Sequence, residues 1–247
     1  MHPELVKKAS ENVVQIYVKV NGYEPSGSGL LIDKEGTILT CEHVVRPGGR
    51  DAEIIGITKR VEKPKEVEIL KTNKSCDAAL IKAKDLTVNE NRKSRTYEQV
   101  YVGEDCFVLG YPIGLNHLTL SRGVISAKGI GLVNRFMFDT IQIDARVNYG
   151  NSGGPVFDAE TGDLIGILTM KYIPFIDKIT DLYNTVKGIN TKVKDVDPLT
   201  GIDSSTFFNQ THRALEKISR ALTLVQIGIA WVIPIDILKR TLDSQLN

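Results

Sequence analysis

The feature that most restricts this chain is the brevity of its apolar runs. VVQIYVKV (13–20), SGLLID (28–33), TILTCEHVV (37–45), EIIGITK (53–59), EVEILK (66–71) and AALIKA (78–83) follow one another with polar or Gly-containing breaks. QVYVG (99–103) and CFVLGYP (106–112) continue the series after a polar stretch. A second series contains LTLSRGVISAKG (118–129), TIQIDARV (140–147), GPVFD (154–158), LIGILTMKY (164–172) and IGIAWVIP (227–234). Short runs rich in Val, Ile and Thr, bounded by turn residues, read as strands. Many of them in succession read as an all-β sandwich or barrel. The two series meet near GYPIG (110–114), which sets the expected division at residues 1–112 and 113–247.

Helical patterning is confined to three places. Pro3 and Glu4 open a short helix through Asn12, with proline in its first turn, and a last helix runs on from Pro234. Between them, Phe207, Phe208, Ala214, Leu215, Ile218, Leu222 and Val225 fall on one face at helical spacing. That spacing predicts a helix over about 205–224, inside an insert covering about 172–226 of the second strand series.

Charge excludes some functions. With 31 Lys and Arg against 30 Asp and Glu, the net charge is +1, which gives no electrostatic reason for nucleic acid or a membrane surface as a partner. The most apolar late stretch, IGIAWVIPIDIL (227–238), is too short to span a bilayer. Cys41, Cys76 and Cys106 are odd in number and contain no CxxC, so neither a disulfide framework nor a metal site is expected, and no cofactor. Together with an N-terminus that lacks a signal-peptide pattern, the cysteines set the expectation of a cytoplasmic location.

The stretch NYGNSGGPVFD (148–158) concentrates glycine around Ser152. Such a cluster is ordinary turn chemistry, and also what a backbone needs where another molecule must come close. A serine hydroxyl becomes a nucleophile only when a base takes its proton, and that base is most often a histidine oriented by a carboxylate. Of four histidines, His2 lies at the chain start, His117 in a loop and His212 on the insert helix, whereas His43 ends an apolar strand. Asp77 stands at the mouth of the strand AALIKA, where a charge is costly without a partner; Asp33, Asp105 and Asp144 read as turn or strand-edge residues.

GSGLLIDKEGTILTCEHVV, CDAALIK and GNSGGPVFD resemble, in that order, the three signature segments of chymotrypsin-fold serine proteases, most closely the high-temperature-requirement (Deg) branch. The resemblance continues through VLGYPIG, SRGVISAKG and GIAWVIPIDIL. It implies an all-β fold of two six-stranded antiparallel barrels with short terminal helices and a helical insert in the second barrel. It implies a serine endopeptidase in which His43 is general base, Asp77 orients it, Ser152 is nucleophile, and the N–H groups of Gly150 and Ser152 form an oxyanion hole. By the same resemblance Arg146, Val147, Asn148, Tyr149 and Gly228 wall the primary pocket, and Thr169, Met170 and Lys171 form an edge strand that pairs with an extended polypeptide substrate. Arg146 is larger than the residue usual in that branch. Pointing inward it favours an acidic residue before the scissile bond; pointing outward it leaves a pocket lined by Val147 for small aliphatic residues.

Asn151 replaces the aspartate that digestive relatives pair with a cleaved N-terminus, so no such clipping is expected. No PDZ domain is expected after the barrels. The insert is read as a cap on the second barrel, with a lid or a contact between copies of the chain as the sharper alternatives. Two other functions fit the same residues: a silent binding module of this fold, and an esterase-type acyl hydrolase.

Overall fold

The computed structural model describes residues 2–19, 23–46, 54–58, 65–84, 86–88, 92–113, 115, 117–133, 136–171, 185, 211, 213–215, 217–218 and 228–242. The expected short strands are present and close into two barrels. The first barrel orders β1 (Val13–Lys19), β2 (Tyr23–Leu31), β3 (Thr37–Thr40), β6 (Ala78–Ala83), β5 (Lys65–Asn73) and β4 (Ile54–Thr58). The second orders β10 (Pro155–Asp158), β11 (Leu164–Lys171), β12 (Ile229–Pro234), β9 (Phe136–Ala145), β8 (Thr119–Val133) and β7 (Asp105–Gly110). Every strand pairing within them is antiparallel.

Apolar strand residues, buried in unbroken runs, build the cores. In β1, Val14, Ile16 and Val18 are buried, and β3 and β6 supply Ile38, Leu39, Leu80 and Ile81 with no exposed surface. Phe107 of β7 and Phe157 of β10 pack with ring centroids 5.2 Å apart. Closing a sheet on itself removes the edges that a flat all-β fold would leave open.

The helices match in kind. α1 (Pro3–Ser10) opens with His2 as N-cap, its ring nitrogen accepting from Glu4 N–H at 3.3 Å. α2 is a single turn (Glu42–Val45), and α3 (Ile235–Leu242) closes the described chain with Ile235, Ile237, Leu238 and Leu242 buried. None of the described helices is long and apolar enough to cross a membrane.

Three expectations about elements change. β7 belongs to the second barrel, so the strand series divide before Asp105, not at 110–114. The run at 99–103 is not a strand: Tyr97–Gln99 is a 3-10 turn capped by Thr96, and the chain then turns into β7. His43 sits on α2, two residues beyond a break at Cys41, rather than at a strand end.

Residues 1–171 with 228–247 make one compact unit, and residues 172–227 make a second. Of the expected helix over 205–224, residues 211, 213–215, 217 and 218 are described, and these are helical; the rest lies outside the described residues.

Candidate active site

His43 and Asp77 meet because each sits where a strand of the first barrel is interrupted. β3 ends at Thr40, Cys41 stays extended (φ −82°, ψ 147°), and the turn of α2 carries His43. Asp77 lies in the turn after β5, held by Asn73, whose side-chain oxygen accepts from Ser75 N–H (3.0 Å) and Cys76 N–H (3.4 Å). Asp77 takes φ +51°, the only non-glycine among the described residues in the left-handed region, where Asp and Asn are the tolerated side chains.

Its carboxylate is fully engaged. Oδ1 accepts from His43 N–H at 3.0 Å, and Oδ2 lies 2.7 Å from His43 Nδ1 and accepts from Thr169 Oγ1–H at 2.5 Å. The side chain of Asp77 is 6% exposed and that of His43 38%. Burial alone would raise the Asp77 pKa, but the hydrogen bonds and charge of His43, with Thr169, outweigh it and hold the carboxyl below its ordinary range. An ionised carboxylate only accepts, so Nδ1 carries the proton toward Asp77 and Nε2 is left with its lone pair when the ring is neutral.

Thr169 joins this pair to the second barrel. The register of β11 against β12 slips between Leu168 and Met170, making Thr169 the extra residue of a bulge. A bulge re-aims a side chain, and here Thr169 is buried with its hydroxyl on Asp77. Its carbonyl oxygen accepts from Ser152 Oγ–H at 3.3 Å. Ser152 makes no hydrogen bond to His43: its hydroxyl is on the Thr169 carbonyl, while the imidazole is on Asp77, which the Thr169 hydroxyl also holds.

The loop 149–152 has each carbonyl held in turn. Tyr149 O accepts from Ile113 N–H (2.7 Å), Gly150 O from Ser28 Oγ–H (2.6 Å), Asn151 O from Gly154 N–H (2.8 Å) and Ser152 O from Ser28 N–H (2.9 Å). Across a trans peptide the N–H points opposite to the C=O, so fixing a carbonyl fixes its amide. Among the described residues, the N–H groups of Gly150 and Ser152 donate to no protein acceptor. Gly150 takes φ +90°, and a Cβ there would lie 2.3 Å from Tyr111 O and 2.6 Å from Ile113 N, so no other residue fits.

The remaining expected residues divide. Arg146 is exposed, whereas Ala145 and Val147 on either side are buried. Asn148 is half-buried and Tyr149 exposed. Gly228 takes φ +83° and its carbonyl accepts from Ala145 N–H at 2.6 Å. Met170 and Lys171 pair with Trp231 and Ala230 of β12, while β10 partners β11 only as far as Ile167. The Thr169 side chain is committed to Asp77. Sequence reasoning missed that bond and the part played by Ser28. The signal for Ser28 was its place between two glycines in SGSGLL.

Cys41 Sγ, His43 and Asp77 offer ligand atoms within 4.8 Å of one another. Burial, and then the charge of Asp77, push the Cys41 thiol well above its ordinary pKa. A thiol kept protonated, donating to Leu168 O at 3.3 Å, is a packing group and a poor metal ligand.

Two closed barrels, with a buried Asp77 bonded to a half-buried His43 on one and a serine in a glycine loop on the other, define the chymotrypsin-like double-barrel class. The model of the Trypsin-like peptidase domain matches residues 27–167, and the chain belongs to that family. It is 38% identical over 143 residues to "Probable periplasmic serine endoprotease DegP-like" of Pseudomonas fulva (strain 12-X), covering 57% of this chain and 28% of that one. It is 31% identical over 229 residues to "Protease Do-like 1, chloroplastic" of Arabidopsis thaliana, covering 85% and 46%. The chain thus spans between 28% and 46% of the length of these relatives. A solved structure of "HtrA-type protease AlgW with tripeptide" superimposes with TM-score 0.68 at 23% identity, covering 98% of this chain and 62% of that one; it shares the fold.

These names correct the expectation of a cytoplasmic location, since one relative is named periplasmic and the other chloroplastic. The inference from cysteines failed for a physical reason. All three are buried and unpaired, small packing residues whose number says nothing about redox environment.

Proposed function

We propose that this chain is a serine endopeptidase that works through an acyl-enzyme. The observation that carries the reading is the bridge made by Thr169, whose hydroxyl binds Asp77 and whose carbonyl holds the Ser152 hydroxyl. Rotation about one side-chain bond moves Ser152 Oγ from that carbonyl toward His43. Nε2 then takes the hydroxyl proton as Oγ attacks the scissile carbon, and the Gly150 and Ser152 N–H groups receive the charge on the carbonyl oxygen. His43 returns the proton to the leaving amine as the C–N bond breaks, and water, activated by the same ring, releases the acyl group.

Peptide is favoured over a simple ester as substrate because of the edge that β11 leaves. It is bonded on the β10 side as far as Leu168, through Gly153 and Gly154. Among the described residues Met170 and Lys171 are paired on the β12 side alone, leaving an edge that an extended chain can join. The exposure of Arg146 and the burial of Val147 favour the aliphatic pocket. A peptide with Val before the scissile bond should be cleaved faster than one with Asp there, compared by kcat/KM. A fluorophosphonate should label the chain at Ser152 and fail to label Ser152→Ala. A folded wild-type chain that takes no label would favour the silent binding module instead.

A further inference from the structure

Ser28 is fully buried on β2 of the first barrel, opposite Gln15 of β1, yet most of its bonds go to the second barrel. Its N–H donates to Ser152 O at 2.9 Å and its Oγ–H to Gly150 O at 2.6 Å. The same Oγ accepts from Tyr111 N–H at 2.8 Å, at the exit of β7, and Ser28 O accepts from Thr40 Oγ1–H at 2.7 Å. The hydroxyl has one proton, and its two partners fix where that proton goes. Tyr111 N–H can only donate and Gly150 O can only accept, so the hydroxyl is a one-way link.

We infer that Ser28 is a positioning residue that sets the oxyanion hole from the opposite barrel. The inference rests on the reading of Ser152 as nucleophile and deepens it. Gly150, at φ +90°, has no side chain of its own to fix the orientation of its flanking peptides, so their hydrogen bonds must do so. The Gly150–Asn151 peptide lies between the two amides proposed to bind the oxyanion. Anchoring its carbonyl on Ser28 Oγ, and the Ser152 carbonyl on Ser28 N–H, sets that orientation and keeps both donors aimed at one point. A core serine with only a packing role would have its partners on its own barrel. This one reaches the residue on each side of Asn151. Chained bonds from Tyr111 through Ser28 to Gly150 polarise one another in a buried setting, which strengthens the tie.

The test is Ser28→Ala in the whole chain, assayed with a peptide substrate at temperatures equally far below each protein's Tm. Loss of a hole donor costs about 100- to 1000-fold in kcat, and a hole with both donors present but unanchored should lose about 10- to 100-fold. KM should stay unchanged, and so should the pH profile of kcat/KM, because His43 and Asp77 are untouched. Affinity for a peptide aldehyde, whose hemiacetal oxygen occupies the hole, should fall by the same factor as kcat/KM. Peptide affinity measured in the Ser152→Ala background should not change. Should Ser28→Ala fail to fold, Ser28→Cys, which fills the space with a weaker donor, carries the same measurements.

Unchanged kcat in a folded variant, or an equal loss in peptide and aldehyde affinity, would overturn the inference. Loss of folding in both variants would make Ser28 a purely structural residue and overturn it too. A wild-type chain that neither cleaves peptide nor takes a fluorophosphonate would instead overturn the proposed function.

Discussion

Asp77 is the residue on which the most conditions converge: burial, a left-handed backbone and three hydrogen bonds. Asparagine tolerates the same backbone and fills the same space, so Asp77→Asn should fold. Its amide would present a donor where His43 Nδ1–H needs an acceptor, and turn the ring to the wrong tautomer. By the behaviour of such triads, kcat should fall by about 10⁴, read from steady-state hydrolysis with the Tm as control. At this scale three motifs in order let the sequence single out His43, Asp77 and Ser152, and the structure pairs the first two. It was silent about Thr169 as an Asp77 partner. A bulge between Leu168 and Met170 decides that contact, and nothing in ILTMK distinguishes a bulged strand from a regular one.

At the scale of elements, the glycine loop and the strands it touches are fitted to one another with no slack. Gly153 takes φ +79°, and a Cβ there would stand 2.2 Å from Ser28 O and 2.3 Å from Thr40 Oγ1. Gly153→Ala should therefore cost stability by about 1–3 kcal/mol or more, measured by urea unfolding, because both the dihedral and the space are wrong. The strands themselves were readable from alternation and turn residues. Their grouping was less so, because Phe107 and Leu109 of β7 look like continuation of the first series. Pairing with β8 on one side, through Arg122 and Leu120, and with β10 on the other assigns β7 to the second barrel. Local pattern identifies a strand; it does not say which neighbour that strand will choose.

For the whole molecule, acid is the condition that tests the carboxylates together. Asp158 resembles Asp77 in balance: burial would raise its pKa, but the N–H groups of Thr161 and Glu160 and the charge of Arg95 hold it below the ordinary range. Both groups bind a proton less readily folded than unfolded. Their stabilisation is complete above the unfolded carboxylate value of about 3.9 and drains away as pH falls through the lower folded values. The Tm should thus be level above about pH 5 and drop steeply toward pH 3. Asp158→Asn should lower the plateau and shallow the drop. Another whole-molecule property follows from the thiols. Cys41, Cys76 and Cys106 have no exposed surface, and burial pushes the Cys106 thiol up to about 12. An alkylating reagent can reach them only when a barrel breathes, so the mass added over time becomes a clock for native-state opening. Cys106 times the second barrel, Cys41 the seam where the first barrel meets Leu168, and Cys76 the contact of the first barrel with α3, and no label need be engineered.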